Sequence, residues 1–234
     1  MIHPQMFSTG GLTPGQQAWT TAGTYSFVVP DYCYQIAAVC IGSGASGATA
    51  FSSSATTCGA GGGGATTYHN TIDVTPGETL TIVVGAPGSL VNVDASDGRD
   101  GDAVKILRGA TVLLNANGGA KGLLDGQVGG NGGAASAPAG GVSWAGGKGA
   151  NGTTSAVAYG GTSGKYMSAG SQGGTGNAGG GLNLCASLFG ADTGTNIGRG
   201  GDGVRSHPSG AGYVGGARII WGFGRSFPSN AADV

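Results

Sequence analysis

The sequence predicts an all-β fold: an N-terminal β-sandwich-like half, closed by a C-terminal strand, beside a glycine-rich, polyproline/polyglycine-II-like helix bundle. Three observations predict it. Residues 24–115 carry short apolar runs with a two-residue period, bounded by turn residues. Residues 116–217 hold 34 of the 54 glycines, one position in three. Residues 217–221, Ala-Arg-Ile-Ile-Trp, form a dense apolar word near the chain end, which a disordered tail does not need and a strand with distant partners does. The organisation that follows is 1–17 as an extended docking arm, 18–115 as the β-rich half, 116–216 as the glycine-rich bundle with apolar and aromatic loops, and 217–234 as closing strand and tail.

The first strand, 24–29, stops at Pro30-Asp31, a turn signal. Residues 34–41 are β-rich and run into Gly42. Tyr68, Asn70, Ile72 and Val74 alternate with Thr67, His69, Thr71 and Asp73, the period of a strand with one wet face. Thr75-Pro76-Gly77-Glu78 puts Pro and Gly where a type II turn needs them. Leu80, Ile82 and Val84 resume the alternation, so 66–85 reads as a β-hairpin. A second hairpin is expected at 102–115 through Arg108-Gly109-Ala110.

The glycine-rich stretch has no strict three-residue repeat, which excludes collagen, and no recurring word. It is either a flexible linker or a set of polyproline-II-type glycine helices packed side by side. In the second reading the backbone groups bond to neighbouring segments, and only glycine lets the backbones approach closely enough. A closing strand over 217–221 then clamps the array at both ends and lowers its closure entropy. The packed array is the expectation. Its interruptions carry the large side chains Trp144, Tyr159, Tyr166, Leu188, Phe189 and Tyr213, which either pack under the array or form a recognition surface.

Chemistry-like motifs are weak. Gly42-Ser43-Gly44-Ala45-Ser46-Gly47 matches GxGxxG after a strand, but no helical period follows and the first acid is Asp73. Gly161-Thr162-Ser163-Gly164-Lys165 lacks the first glycine and the Ser/Thr of a phosphate loop. Asp94, Asp97, Asp100 and Asp102 fit no EF-hand spacing and read either as a solvated turn or as a weak Ca²⁺ site. Cys33, Cys40, Cys58 and Cys185 have no zinc-site spacing and read as free buried thiols, with a Cys33–Cys58 disulfide as the alternative. With 9% charged residues and a net charge of −1, nucleic-acid binding is not expected. No run approaches the ~18 apolar residues of a membrane span, and the N-terminus does not read as a secretory signal. No cofactor, metal or catalytic constellation is expected, and the chain does not read as an enzyme.

Four words carry a resemblance: 18–30 (AWTTAGTYSFVVP), 39–42 (VCIG), 75–85 (TPGETLTIVVG) and 216–222 (GARIIWG) with 225–229 (RSFPS). Together they resemble a family of glycine-rich virion proteins of tailed bacteriophages. The resemblance implies a virion structural role, often at the tail or tail fibre. Its nearest functional analogue is the polyglycine-II adhesins of T-even-type phages, which recognise host surfaces through intervening loops. The expected function is a tail-fibre or tail-associated adhesin for host attachment, present in several copies or as a homo-oligomer. It would be held to other virion proteins through 1–17 and would present loops to a bacterial surface polysaccharide or outer-membrane protein. The expected location is the virion, assembled in the host cytoplasm. The alternative is a capsid or tail decoration (cement) protein that contacts only other virion subunits. An ice-binding surface, which needs a regular Thr- or Ala-rich face, is disfavoured by Lys148, Lys165 and Arg199.

Overall fold

A computed structural model of the protein describes residues 13–50, 58–152, 158–164, 169–173, 197–205 and 209–230. Strands are numbered β1 to β11 in chain order. One antiparallel sheet has the order β1 (Gly15–Trp19), β11 (Gly216–Trp221), β3 (Gln35–Ile41), β5 (Thr66–Asp73), β9 (Val142–Trp144). A second has the order β2 (Gly23–Val28), β6 (Thr79–Val84), β7 (Val104–Arg108), β8 (Thr111–Ala116). β4 (Thr49–Ala50) and β10 (Val204–Arg205) form a short parallel pair.

The two larger sheets enclose one core. Ile36, Ala38, Cys40, Ile72 and Ile219 of the first meet Phe27, Leu80, Ile82, Val104, Ile106 and Leu114 of the second. The Phe27 ring meets Trp19 edge-on at 6.0 Å and Trp221 at 5.6 Å, which fixes the β1–β2 corner. The opposite face of the first sheet is also covered: Ala37, Val39, Ile41, Tyr68 and Ile220 pack with Phe227 and Ile197. Burial on both faces explains why β3 reads as an unbroken apolar run rather than an alternation.

The closing strand answers to its composition. β11 lies between β1 and β3, with Ile219 opposite Gln17 and Ala38. Arg218, on the face of Ile220, is buried, with its guanidinium 5.9 Å from the Phe227 ring and bonded to the Gln16 amide. Residues 15–17, the end of the stretch read as an arm, belong to β1; residues 1–12 lie outside the described residues.

The expected hairpin over 66–85 is not one. β5 pairs with β3 and β9, whereas β6 pairs with β2 and β7. The type II turn forms as expected, with Gly77 at φ 80° and the Glu78 N–H donating to Thr75. Its edge, however, docks on Val29 through two further backbone bonds, so the chain arches from one sheet to the other. The hairpin at 102–115 does form, as β7–β8 around Gly109.

The described residues contain no α-helix, only a 3-10 turn at Asp125–Gln127. The helix bundle expected over 116–216 is therefore not borne out as secondary structure. The reason lies in the hydrogen bonds: the glycine segments donate to other segments rather than back along themselves. The pattern is regular. In 58–65, Gly59, Gly62 and Ala65 donate to Leu123, Ala120 and Asn117; Ala60 and Gly63 donate to Ala150 and Gly147; Gly61 and Gly64 donate to Gly201 and Gly198. The same segment accepts from Ala48, Ala45 and Gly42, from Gly130 and Gly133, and from Gly161 and Gly164. Thus 58–65 has six bonded neighbours, three as acceptors and three as donors. Segment 42–48 repeats the three-residue cycle, donating in turn to 58–65, to 99–102 and to 210–213.

Candidate functional site

The sandwich positions the glycine segments one by one. β3 runs into 42–48, 58–65 runs into β5, β8 into 117–123, β9 into 145–152, and 209–215 into β11. Each of these five segments is therefore held at one end by a sandwich strand. The other ends converge. The described residues flanking 51–57, 153–157 and 206–208 all stop at the face remote from the sandwich, beside Cys58, Gly203 and the β4–β10 pair. From Gly59 to Ala65 the array is about 19 Å deep, at about 3.1 Å per extended residue.

Polar side chains tie the segments where backbone groups run out. Ser43 Oγ donates to Gly85 at 2.7 Å and accepts the Gly215 N–H at 2.8 Å. Asp202 Oδ1 accepts the Gly160 N–H and the Arg199 guanidinium, both at 3.0 Å. The acidic word 94–102 works the same way. Asp97 accepts the Leu124 N–H at 2.9 Å and Lys121 Nζ at 3.0 Å, and Asp100 accepts the Lys121 N–H at 2.7 Å. The Leu124 bond, with the Lys121 ammonium behind it, holds the Asp97 carboxyl below the usual carboxylate range despite partial burial. These carboxylates are acceptors for 121–124, and among the described residues no group of three acidic, His or Cys side chains is placed to hold a metal ion.

The aromatics singled out from sequence do not form one patch among the described residues. Trp144 is half-buried in β9 opposite Thr66, at the sandwich side of the array. Tyr159 is half-buried at the remote side, where its carbonyl accepts the Ala150 N–H. Tyr213 is partly exposed on 209–215, with the Arg199 guanidinium 5.8 Å over its ring. Tyr166, Leu188 and Phe189 lie outside the described residues. Cys33, Cys40 and Cys58 are buried thiols, so the Cys33–Cys58 disulfide does not form; Cys185 lies outside the described residues. Burial pushes the Cys33 and Cys40 thiols up.

The most exposed aromatics were not singled out from sequence. Tyr32, Tyr34 and Phe223 are exposed at the end of the sandwich remote from the array. A sequence signal existed for Phe223, a large apolar residue between two glycines, Gly222 and Gly224. Two shallow cavities of about 290 and 350 Å³ open near the same end and share Asp73 and Arg108. Their charges are engaged. Arg108 makes a two-point pair with Glu78 at 2.9 and 3.1 Å, and the His69 ring bonds Ala139 O through Nε2 and the Thr71 N–H through Nδ1.

No curated protein matches this chain. The profile of the glycine-rich domain family matches residues 20–222, from the end of β1 to the end of β11, and the chain belongs to that family.

Proposed function

We propose that the chain is a non-enzymatic structural protein of a bacteriophage virion: a tail-fibre or tail-associated adhesin whose glycine segments form a polyglycine-II-type array. The observation that carries this reading is the three-residue donor cycle of 58–65 with its six bonded neighbours. That cycle is the period of a threefold extended chain. Such an array has almost no side chains inside, so it cannot shape a catalytic pocket. It can hold the described segment ends at its remote face in fixed positions, and scaffolds of this kind commonly carry recognition on the connections between their elements. The virion assignment rests on the sequence words at 18–30, 39–42, 75–85 and 216–229. Tyr159, Tyr166, Leu188, Phe189 and Tyr213 are the proposed contacts with a bacterial surface polysaccharide or outer-membrane protein; Trp144, half-buried at the sandwich side of the array, is not among them.

Labelled, purified protein should bind susceptible bacterial cells and compete with phage adsorption. Alanine at Tyr159 or Phe189 should weaken both without lowering thermal stability. Protein that neither binds cells nor blocks adsorption sinks the adhesin reading. The second reading, a decoration or cement protein, is favoured by the exposed Tyr32, Tyr34 and Phe223 at the opposite end. Removing residues 1–12 separates the two: an adhesin loses its place in the particle but still binds cells, whereas a cement protein loses its one activity.

A further inference from the structure

Tyr32 breaks a rule that most of the chain keeps. The turn 30–33 closes with the Cys33 N–H donating to Pro30 O at 3.1 Å, and Tyr32 holds its third position at φ 63°. Glycine or asparagine is the ordinary occupant there, because a bulky side chain is strained in the left-handed region. The chain has 54 glycines and places them at most of its other left-handed positions, Gly77 and Gly109 among them. At 32 it keeps a large ring instead, and the ring is not used for packing, since Tyr32 is 74% exposed. Backbone strain kept for an exposed side chain is a feature of functional positions.

The ring has a neighbour and a hollow beside it. Tyr34 is 67% exposed, while Cys33 between the two tyrosines is buried, its thiol donating to Gln35 O at 3.4 Å. Cys33 thus anchors the loop and leaves both rings outside. The loop is pinned to the arch 74–78 at both ends. Val29 exchanges backbone bonds with Gly77 and Glu78, and the Val74 N–H donates to Tyr34 O, each at 2.9 Å. Next to Tyr34, the Gln35 amide donates to Asp73 Oδ1 at 3.2 Å. Asp73 in turn lines the cavity of about 290 Å³, with Val74, Thr75, Glu78 and Arg108. Two exposed rings therefore stand on a held loop at the edge of a polar recess.

We propose that Tyr32, Tyr34 and this recess form a binding site for a neutral saccharide. The charges decide the class. Arg108 stands in the recess with its guanidinium on the Glu78 carboxylate at 2.9 and 3.1 Å and on Asp73 O, so an entering cation meets a fixed positive charge. An anion meets Asp73 and Glu78, with Asp31 exposed on the loop. A wholly apolar ligand would desolvate these groups and give them nothing in return. A neutral polyhydroxylated ring suits all of them. Its hydroxyls donate to the remaining lone pairs of the two carboxylates and bond the Thr75 hydroxyl, while its C–H face lies on a tyrosine ring. Tyrosine offers that contact area at low entropic cost. The site lies at the end of the sandwich remote from the contacts proposed above, and it stands whether or not those loops meet a host surface.

The test is affinity electrophoresis of the full chain through gels holding a neutral polysaccharide (dextran, galactomannan or β-glucan), an acidic one (polygalacturonate) or a cationic one (chitosan). At least one neutral polymer should retard wild type, and neither charged polymer should. Tyr34→Ala should raise the Kd for that polymer by about tenfold or more, the size of a lost aromatic contact. Tyr32→Asn is the decisive variant, because asparagine tolerates the left-handed turn position. It should weaken retention by a similar factor while melting at or above the wild-type temperature. A wild type that no neutral polymer retards, equal retardation by a charged polymer, or a Y32N that binds normally overturns the proposal. So does a Y32N that melts lower, since the ring would then be structural. A loop that faces another protein instead gives the first of these results.

Discussion

Substituting Gly62 by alanine tests the close-packed array directly. A Cβ there would lie 2.5 Å from the Asn131 carbonyl carbon and nearer still to its oxygen, whereas real Cβ atoms essentially never come within 3.0 Å. Segment 128–133 must therefore retreat. That retreat strains three bonds of 2.8 Å: Gly130 N–H to Ala60, Gly133 N–H to Gly63, and Ala120 N–H to Asn131. Each is worth about 1 kcal/mol net, and a buried group left unpaired costs about 1–3 kcal/mol. Against this, Gly→Ala stiffens the unfolded chain by about 0.4–1 kcal/mol. The expected net loss is about 3–5 kcal/mol, read as a fall in the urea midpoint at constant slope. Ala60→Gly is the control on the same segment. Its methyl clusters with Ala150 and Ala158, so removing it should cost about 1–2 kcal/mol in packing and chain entropy. If G62A is as stable as wild type, or no worse than A60G, glycine is not there to let backbones touch and the reasoning fails.

Three further outcomes follow from named contacts. Asn70 grips the tail like a strand, accepting the Phe227 N–H and donating to its carbonyl, both at 2.8 Å; Asn70→Ala should cost about 2–4 kcal/mol and speed tryptic cleavage after Arg225, and an unchanged digest refutes the clasp. Asp97 has a lowered carboxyl pKa, so its stabilisation is complete above the ordinary aspartate value of about 3.9 and is lost as pH falls through the lower folded value. The stability gap between wild type and Asp97→Asn should therefore close on acidification, and a gap independent of pH contradicts the assignment. In a Cys185→Ser variant, the buried thiols of Cys33, Cys40 and Cys58 should react with a disulfide reagent only as fast as the chain unfolds in urea, and rapid native labelling argues against the packing.

The sandwich was largely legible in the chain. Two-residue alternation marked β5 and β6, Pro76-Gly77 marked the turn, and the apolar density of 217–221 announced a strand with distant partners, which are β1 on one side and β3 on the other. Which strands would pair was not legible. A type II turn between two alternating runs serves a hairpin or an arch equally well, and the choice was made by Val29, whose backbone takes both bonds the turn offers. The clasp at 225–230 was likewise hidden, because Asn70 in an alternating strand looks like any other wet-face residue until Phe227 lies against it. The exposed tip was hidden for a related reason: Tyr32, Tyr34 and Phe223 stand outside the glycine clusters, and no period in the sequence tells a bare aromatic from a packed one.

The array explains why its own sequence has no repeat. In a self-contained helix the residue choice at one position is set by neighbours a few positions away, so a word recurs. Here each position answers to a segment far off in the chain. Gly61 and Gly64 are bare because the carbonyls of Ala45 and Gly42 touch them, and Gly59 and Gly62 because those of Val128 and Asn131 do. Where neighbours diverge, methyls are allowed: Ala60 faces Ala150 and Ala158. In 42–48 the requirement relaxes further, and Ser43 and Ser46 turn their hydroxyls into extra hydrogen-bond partners for Gly85, Gly215 and Arg99. Glycine density thus follows how many backbones crowd a residue, which is why it peaks in 59–64, the stretch with six bonded neighbours, and not at the middle of the glycine-rich region of the chain.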